Sequence, residues 1–472
     1  MSVANPASSN RNWRAVALVT VATCTLTTAS ILLLRSWRHF PSFWWYKRKR
    51  RPQDFVPIVH SKDLLDRNED MTEGDKRFLP WKMQGRGMIY LNNADACLDF
   101  TVGANVDEEL DDAKFVIKQI CSDWRNAEND DISIKIIVGG ITNRLYRLTW
   151  RNKVHINENV PSVLVRLYGD HTEEFIDRSI ENMLFAKLSK RGFAPTYYGR
   201  FTNGRIEGWL DARPLEPEEM SQTKPINYLQ MIGKELGLMH VMDILEDRAP
   251  VLWTKLERFE KLAMEIQQKD STSKNALYKL DLKGLHEKLI WLKSVLPSDL
   301  NGNGKELLDG RDVDEISKQA EKFASDIVFS HNDLLSGNIL YNPGWDRVRI
   351  IDYEYGGYNY RAFDIANHFC ENCGFDLDLE MYPSIEKQVA FFKAYMSTAA
   401  PNLLAQLESN RESKAFFHAL YDVVNRYALA SHLFWGYWAV VQAAHSTIDF
   451  DFLQYAAKRF SAFDVQRDFF IG

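Results

Sequence analysis

The sequence predicts an α+β protein in which a strand-rich segment precedes a longer, mostly helical one. Residues 133–169 alternate apolar and polar side chains around a Gly-Gly pair, as half-buried strands do. Residues 228–297 and 385–470 instead place apolar residues at helical spacing. With 472 residues, of which 45% are hydrophobic, the chain is long enough for one large two-lobed enzyme or for two domains.

The amino-terminal segment predicts a transmembrane helix. Residues 15–34 carry no charge, and a helix of this length spans the roughly 30 Å core of a bilayer. Aromatic residues and the basic run 47–51 follow, which is typical of a membrane exit, and the positive-inside rule then places the rest of the chain in the cytosol. An organellar transit peptide is an alternative. A cleaved secretory signal is disfavoured, because no small-residue cleavage site precedes the basic run.

The charge balance disfavours nucleic acid as a partner. The first 53 residues hold nine of the 58 Lys and Arg and no acid, so the remainder carries 49 basic and 64 acidic residues, a formal charge of −15. An acidic body repels nucleic acid and attracts a cationic substrate. Five scattered cysteines suggest a reducing compartment, and the pair Cys370 and Cys373 has no zinc-spaced partner pair.

Residues 327–354 carry the candidate catalytic groups. Two apolar, strand-like runs lead to Asp333 and Asp352, and Asn338 lies between them. The spacing Asp-x4-Asn, followed by Asp about 14 residues later, is typical of kinases. Phosphoryl transfer needs an acceptor for the substrate's hydroxyl proton and oxygen ligands for Mg2+. We therefore predict Asp333 as the catalytic carboxylate, Asn338 and Asp352 as metal ligands, and Glu354 as a ligand of a second ion or its waters.

The strand-rich segment carries candidate phosphate-binding groups. The turn between its first two strands contains small and donor-bearing residues: Gly139, Gly140, Thr142 and Asn143. Backbone amides can approach a phosphate there, although an ordinary turn has the same composition. Arg166 lies inside an apolar strand, where a cation needs a partner, and Glu181 on the predicted helix 178–188 is the candidate. A surface ion pair is the alternative interpretation.

These motifs resemble one known family. HNDLLSGNIL (331–340) and IDYEYGGYNYRAFDIANHFCE (351–371) closely resemble choline/ethanolamine kinases, which phosphorylate small amino alcohols. GGITNRLY (139–146) is similar to the family's ATP-covering loop, and Arg166 stands where protein kinases use lysine. The resemblance implies a two-lobed protein-kinase-like fold, with a small antiparallel-sheet N-lobe and a larger, mostly helical C-lobe, that uses ATP and Mg2+.

Composition sets the bounds of the amino-terminal parts, and the resemblance, which does not extend to them, implies the two lobes and further binding residues. We expect a membrane anchor over 1–53, a linker and N-terminal extension over 54–104, an ATP-binding N-lobe over 105–210 and a C-lobe over 211–472. Backbone groups from Gly208 to Leu210 would meet adenine, and Arg166 and Glu181 would join Asp333 in catalysis. The implied amino-alcohol site consists of Asp333, Tyr355, Glu371, Trp435 and Trp438. Taken alone, two tryptophans three residues apart on a helix more often form core.

The expected activity is ATP-dependent phosphorylation of ethanolamine to phosphoethanolamine, the first step of the CDP-ethanolamine route to phosphatidylethanolamine. The three residues directly after Glu371 are not aromatic and leave few ring faces there, and a retained carboxylate then favours a primary ammonium over choline. A choline or dual kinase, an aminoglycoside-type kinase and a membrane-bound pseudokinase scaffold are the alternatives. We expect a single-pass protein of the endoplasmic reticulum with a cytosolic kinase domain; a homodimer is compatible with the sequence.

Overall fold

The computed structural model describes residues 97–103, 106–137, 143–151, 161–169, 176–269, 280–296, 314–446 and 448–471. The predicted membrane segment 15–34 and the loop residues Gly139, Gly140 and Thr142 lie outside these ranges. Within them, no helix combines the length and apolar content needed to cross a bilayer.

A six-stranded sheet forms the first part of the described chain. Its strands are β1 (Cys97–Leu98), β2 (Ile132–Ile137), β3 (Asn143–Trp150), β4 (Ser162–Tyr168), β5 (Tyr197–Phe201) and β6 (Gly204–Gly208). Their spatial order is β1-β5-β6-β4-β3-β2. All neighbouring strands are antiparallel except the short β1, which runs parallel to β5. The strands predicted over 133–169 are therefore confirmed.

Helix α1 (Val106–Ile120) packs on one face of this sheet. Val163, Val165 and Leu167 alternate along β4 and are buried in the core shared with α1, because successive strand residues point to opposite faces. The sequence predicted a helix over 108–124; the helix ends at Ile120, and Trp124 lies in a short 3-10 turn.

Helix α2 (Arg178–Lys190) follows β4 and begins with a defined cap. The Asp177 carboxylate accepts hydrogen bonds from the backbone N–H groups of Ser179 and Ile180, at 3.0 and 3.1 Å. Such a cap satisfies amides that have no partner inside the helix. Leu184 and Phe185 of α2 belong to the core of the helical part of the chain.

The remaining chain is mostly helical, as predicted. Its helices are α3 (Pro217–Met220), α4 (Tyr228–His240), α5 (Leu252–Lys269), α6 (Leu282–Val295), α7 (Glu315–Ser325), α8 (Arg361–Glu371), α9 (Ile385–Ala399), α10 (Pro401–Ser409), α11 (Ser413–His445) and α12 (Phe452–Phe470). The long helix α11 contacts α5, α7, α8 and α12 and is buried on nearly all sides. A helix that is apolar all round is typical of a core position.

Short strands hold the catalytic segment. β8 (Ile327–Ser330) pairs with β11 (Gly357–Tyr360), and β9 (Ile339–Tyr341) pairs with both β7 (Arg213–Pro214) and β10 (Arg349–Ile350). Because β9 and β10 pair antiparallel, the residue before β9 lies beside the residues that follow β10.

Candidate active site

Asp333, Asn338 and Asp352 lie in one place. The Asn338 side-chain amide donates to the Asp333 backbone carbonyl at 2.9 Å and to the Asp333 carboxylate at 3.3 Å. The backbone N–H of Ile351 donates to the Asn338 carbonyl at 2.9 Å, which brings the neighbouring Asp352 to the same end of the hairpin. Asp352 has a φ of 64°, a left-handed conformation that Asp adopts more readily than most residues.

Asp364, which the sequence does not mark as a site residue, holds the backbone of the predicted catalytic loop. Its carboxylate accepts the backbone N–H groups of His331 and Asn332 at 2.8 and 2.7 Å. It also accepts Nε2–H of His240 at 2.9 Å. Burial would raise the pKa of Asp364, but these hydrogen bonds and the nearby imidazoles hold it below the ordinary value. Asp364 therefore fixes the backbone that carries Asp333.

His331 contacts the loop through both ring nitrogens. Its Nε2 donates to the Ile351 carbonyl at 2.9 Å, and its Nδ1 accepts the N–H of Asp333 at 3.2 Å. Burial lowers the pKa of this imidazole, so it is neutral. With both nitrogens engaged, His331 positions the loop and is poorly placed to move a proton.

Arg166 has partners, but not the expected one. Its Nε donates to Glu207 Oε1 at 2.8 Å, and its Nη1 lies 3.2 Å from Asp352 Oδ1. The expected direct pair with Glu181 is wrong. Arg205 faces Arg166 across the paired strands β4 and β6, and its Nη1 lies 2.5 Å from Glu181 Oε1. Nothing in the sequence indicates that Arg205 pairs with Glu181 in place of Arg166.

Glu207 joins the two arginines into one buried network. Its Oε1 accepts from Arg205 Nε at 2.7 Å as well as from Arg166, and all three side chains are at most 4% exposed. Burial would lower the pKa of Arg166, but Asp352 and Glu207 raise it above its ordinary value. Buried cations persist only when paired and hydrogen-bonded in this way.

Glu354 contacts one residue of β3 and one residue of α2. Its Oε2 accepts from the Asn143 side-chain amide at 3.1 Å and lies 3.5 Å from Arg178 Nη1. Asn143 is the one predicted loop residue within the described ranges, and its contact links the first residue of β3 to the segment that follows β10. The second-ion role of Glu354 remains a prediction.

The backbone from Gly208 to Leu210, which is predicted to meet adenine, is partly engaged in internal hydrogen bonds. The N–H of Gly208 donates to the Thr196 carbonyl at 2.7 Å, and the Leu210 carbonyl accepts the N–H of Ala212 at 3.0 Å. The single N–H of Gly208 is thus occupied. A backbone donor to adenine would have to come from a neighbouring residue.

Tyr355, Trp435 and Trp438 form one wall near Asp333. The Tyr355 ring lies 5.2 Å from Trp435, Trp435 lies 5.3 Å from Trp438, and Trp438 Nε1 donates to the Tyr355 hydroxyl at 2.8 Å. Asn367 orients Trp435 by accepting its Nε1–H at 2.7 Å. The two tryptophans therefore share a helix face, as their spacing predicted.

The wall continues through residues that the sequence analysis did not assign. Phe452 lies 5.9 Å from Trp438, Phe450 lies 4.9 Å from Phe452, and Tyr455 lies 5.8 Å from Phe450. Phe375 approaches Tyr455 at 5.7 Å. Phe450, Phe452 and Tyr455 lie close together around the start of α12, and Phe375 lies far from them in sequence. The site therefore holds more ring faces than the residues after Glu371 suggested.

Acidic groups surround Asp333. Burial raises its pKa well above the ordinary value; the charges of Glu371, Asp352 and Glu354 raise it further, and Arg459 lowers it. Glu371 is 6% exposed and forms an ion pair with Arg459. A cation near Asp333 would meet a concentration of negative charge.

The metal donors can be judged from their chemistry. The amide nitrogen of Asn338 faces Asp333, so its oxygen is left for a cation beside the Asp352 carboxylate. Within the described ranges no group of three or more His, Cys, Asp or Glu side chains is arranged as a metal site. An amide and a carboxylate that share Mg2+ with substrate phosphates fit this arrangement, because Mg2+ is usually held by few protein oxygens.

The fold and the grouping of these side chains define a protein of the kinase-like class. Residues 134–464 match the family model described as choline/ethanolamine kinase. The chain is 33% identical over 357 residues to the probable ethanolamine kinase A of Dictyostelium discoideum, spanning 76% of this chain and 92% of that protein. It is 33% identical over 352 residues to the probable ethanolamine kinase of Arabidopsis thaliana, spanning 74% and 83%. The chain belongs to the choline/ethanolamine kinase family.

A solved structure supports the fold. The Plasmodium vivax ethanolamine kinase superimposes with a TM-score of 0.60 at 28% identity, covering 77% of this chain and 90% of that structure. The choline kinase from Cryptosporidium parvum has the same TM-score of 0.60 at 24% identity, which bears on the fold alone. The kinase-like fold expected from the sequence is confirmed.

Proposed function

We propose that this chain transfers the γ-phosphoryl group of ATP to the hydroxyl of ethanolamine. The observation that carries the proposal is the place of Asp333. Its carboxylate contacts the proposed metal ligand Asn338, and the charges of Glu371, Asp352 and Glu354 act on it. The relatives named as ethanolamine kinases support the choice of substrate.

Asp333 would accept or orient the proton of the substrate hydroxyl. Among the described residues, only the Asn338 amide contacts its carboxylate. A raised pKa makes this carboxylate a stronger proton acceptor than an exposed aspartate. General-base assistance of this kind contributes about 10²–10⁴ in rate.

Residues of the six-stranded sheet would bind the phosphates. Arg166 is fixed by Glu207 and presents its other end to Asp352, so its cation lies at the edge of the metal site. Mg2+ bound to Asn338 and Asp352 would supply charge neutralisation for the transferred phosphoryl group. The predicted loop residues Gly139, Gly140, Thr142 and Asn143 would cover the phosphates.

The ammonium group of the substrate would bind near Glu371. Glu371 provides a carboxylate oxygen for a primary ammonium, and Tyr355, Trp435 and Trp438 provide ring faces. Choline is the second candidate substrate. The long aromatic wall favours it, since quaternary ammonium groups bind to ring faces without hydrogen bonds.

A substrate panel tests the proposal. Turnover with ATP and Mg2+ is measured by coupled ADP release for ethanolamine, choline and an aminoglycoside in parallel. We expect the highest kcat/KM for ethanolamine and none above background for the aminoglycoside. No turnover with either amino alcohol would refute the proposal. A higher kcat/KM for choline than for ethanolamine would make choline the preferred substrate.

We also propose that residues 15–34 anchor the enzyme in the endoplasmic reticulum membrane, with the kinase domain in the cytosol. The uncharged run and the basic cluster that follows support this placement. Retention of the full chain in the membrane pellet after alkaline carbonate extraction is expected. Release by carbonate, or a mature amino terminus beyond residue 34, would contradict it. A homodimer stays a prediction for solution measurements.

A further inference from the structure

Arg459 is a buried cation that the proposed chemistry does not yet use. It lies on α12 with a relative exposure of 0%. Its Nη2 pairs with Glu371 Oε1, and its Nε donates to the Tyr455 hydroxyl at 2.8 Å. Glu371 belongs to the proposed amino-alcohol site and lies 88 residues before Arg459 in the chain, whereas Tyr455 lies one turn before Arg459 on α12 itself.

Stability alone is a poor explanation for this ion pair. Burying a guanidinium and a carboxylate costs several kcal/mol per ion, and well-packed apolar residues of similar volume often serve as well or better. The pair does, however, constrain the carboxylate. Carboxylates near one another repel, and the Arg459 cation paired with Glu371 offsets that repulsion.

The two carboxylate oxygens of Glu371 have different surroundings. Oε1 is taken by Arg459, whereas no hydrogen-bond donor from the described residues contacts Oε2. Asn367 and His368 of α8 contact the backbone carbonyls of Asn332 and Leu334, on either side of Asp333, at 3.3 and 2.9 Å, and Glu371 lies about one helical turn further along α8. The oxygen left over is therefore the one available to a ligand.

Tyr455 connects the same guanidinium to the aromatic wall. The guanidinium carbon lies 5.2 Å from the centre of the Tyr455 ring, and that ring contacts Phe375 and Phe450 at 5.7 and 5.8 Å. Arginine can hold Glu371 and Tyr455 together because its nitrogens donate in several directions from one plane. A lysine ammonium is a single point and lacks this fixed geometry.

We propose that Arg459 is a positioning residue for amino-alcohol recognition, which fixes Glu371 through one oxygen so that the other receives the substrate ammonium. The inference rests on the proposed function, since it needs an ammonium substrate. It assigns no contact between Arg459 and the substrate.

Substitution of Arg459 tests this role through substrate affinity. Arg459→Gln should raise the KM for ethanolamine about ten- to a hundredfold, the range expected when one charge-assisted hydrogen bond loses its orientation. Arg459→Lys should recover part of that loss, because it restores the charge without the geometry. The KM for ATP should stay near the wild-type value, and kcat should change less than KM. Arg467→Lys on the same helix is the matched control, because Arg467 pairs with Asp468 at the surface.

A double-mutant cycle separates positioning from a general structural role. In a Glu371→Gln background, Arg459→Lys should change the KM for ethanolamine by less than about twofold, because the group it acts through is gone. Equal effects of Arg459→Lys in both backgrounds would overturn the proposal. So would a fall in kcat with unchanged ethanolamine KM, or a parallel rise in the ATP KM.

Two further outcomes are distinguishable. If the Arg459 variants do not fold, Tyr455→Phe takes their place in the cycle, since it removes the acceptor of Arg459 Nε and keeps the ring. It should raise the ethanolamine KM severalfold only when Glu371 is present, and additive effects would again overturn the inference. If the wild-type enzyme turns over no amino alcohol, the proposed function fails. Wild-type turnover with an unaffected Arg459→Lys variant rejects the inference alone.

Discussion

Glu207→Gln tests which carboxylate holds Arg166. The substitution keeps the shape of the side chain but removes the charge that accepts two arginine Nε donors, at 2.8 Å from Arg166 and 2.7 Å from Arg205. Removing one partner of a buried ion pair costs about 3–5 kcal/mol. We therefore expect the free energy of unfolding to fall by about this amount.

The same substitution should weaken ATP binding. A hydrogen bond to a charged group contributes about 1.5–3 kcal/mol, which corresponds to about ten- to a hundredfold in affinity. Because Glu207 is one of only two carboxylates paired with Arg166 in the described structure, its neutralisation should raise the KM for ATP by that factor. The KM for ethanolamine should change little.

Glu181→Gln is the matched control. Glu181 is as deeply buried as Glu207, and in the described part of the chain it pairs with Arg178 and Arg205 but forms no ion pair with Arg166. We expect a similar loss of stability in urea denaturation with a much smaller rise in the ATP KM from initial rates. A larger ATP effect for Glu181→Gln than for Glu207→Gln would refute the assignment of Glu207.

Three further predictions follow from the site. Asp333→Ala should lower kcat by about 10²–10⁴ without reducing stability in urea, since the carboxylate lies among like charges; marked unfolding would instead indicate a structural turn aspartate. Asp364→Asn should lower both stability and kcat, because it weakens the hydrogen bonds to two catalytic-loop amides; unchanged kcat in a folded variant would argue against its role. Burial lowers the pKa of Lys255 from 10.5 to about 8, although Glu354 and Asp333 raise it. Protonated Lys255 therefore destabilises the fold below about pH 8, and this cost disappears as the pH rises towards 10.5. Lys255→Met should melt higher than wild type near pH ~7 and lose that advantage near pH ~10, and a pH-independent difference would contradict the assignment.

The fold and the grouping of Asp333, Asn338 and Asp352 could be predicted because their signals are local. Apolar periodicity fixed the strands of residues 133–169 and the helices of the last third. Asp333, Asn338 and Asp352 lie within 20 residues of one another, on one loop and the hairpin that follows it. Short spacing on adjacent strands leaves few ways to separate such side chains.

The remaining contacts depend on tertiary register. The partner of Arg166 is set by pairing of β4 with β6, which places Arg205 opposite it and leaves Glu181 to that second arginine. Arg459 reaches Glu371 only because α12 packs against the helical core. No sequence spacing encodes either contact, so both require coordinates.

Similar reasoning explains the aromatic wall. Trp435 and Trp438 share a face because they are three residues apart on one helix, which the sequence shows directly. Phe375 and Tyr455 come from different segments and meet only after folding. The sequence therefore predicted too few aromatic rings near Glu371. The additional rings make the choice of ethanolamine over choline less sharp than the sequence suggested.

The most direct test of the account is product identification by phosphorus-31 NMR. Wild-type enzyme and Asp333→Asn are each incubated with ATP, Mg2+ and ethanolamine, and the new resonances are compared with authentic phosphoethanolamine. We predict that phosphoethanolamine and ADP form in equal amounts with wild type, and that the variant forms neither at a comparable rate. Formation of inorganic phosphate without phosphoethanolamine, or an Asp333→Asn variant as active as wild type, would contradict the claim that Asp333 directs phosphoryl transfer to an amino alcohol.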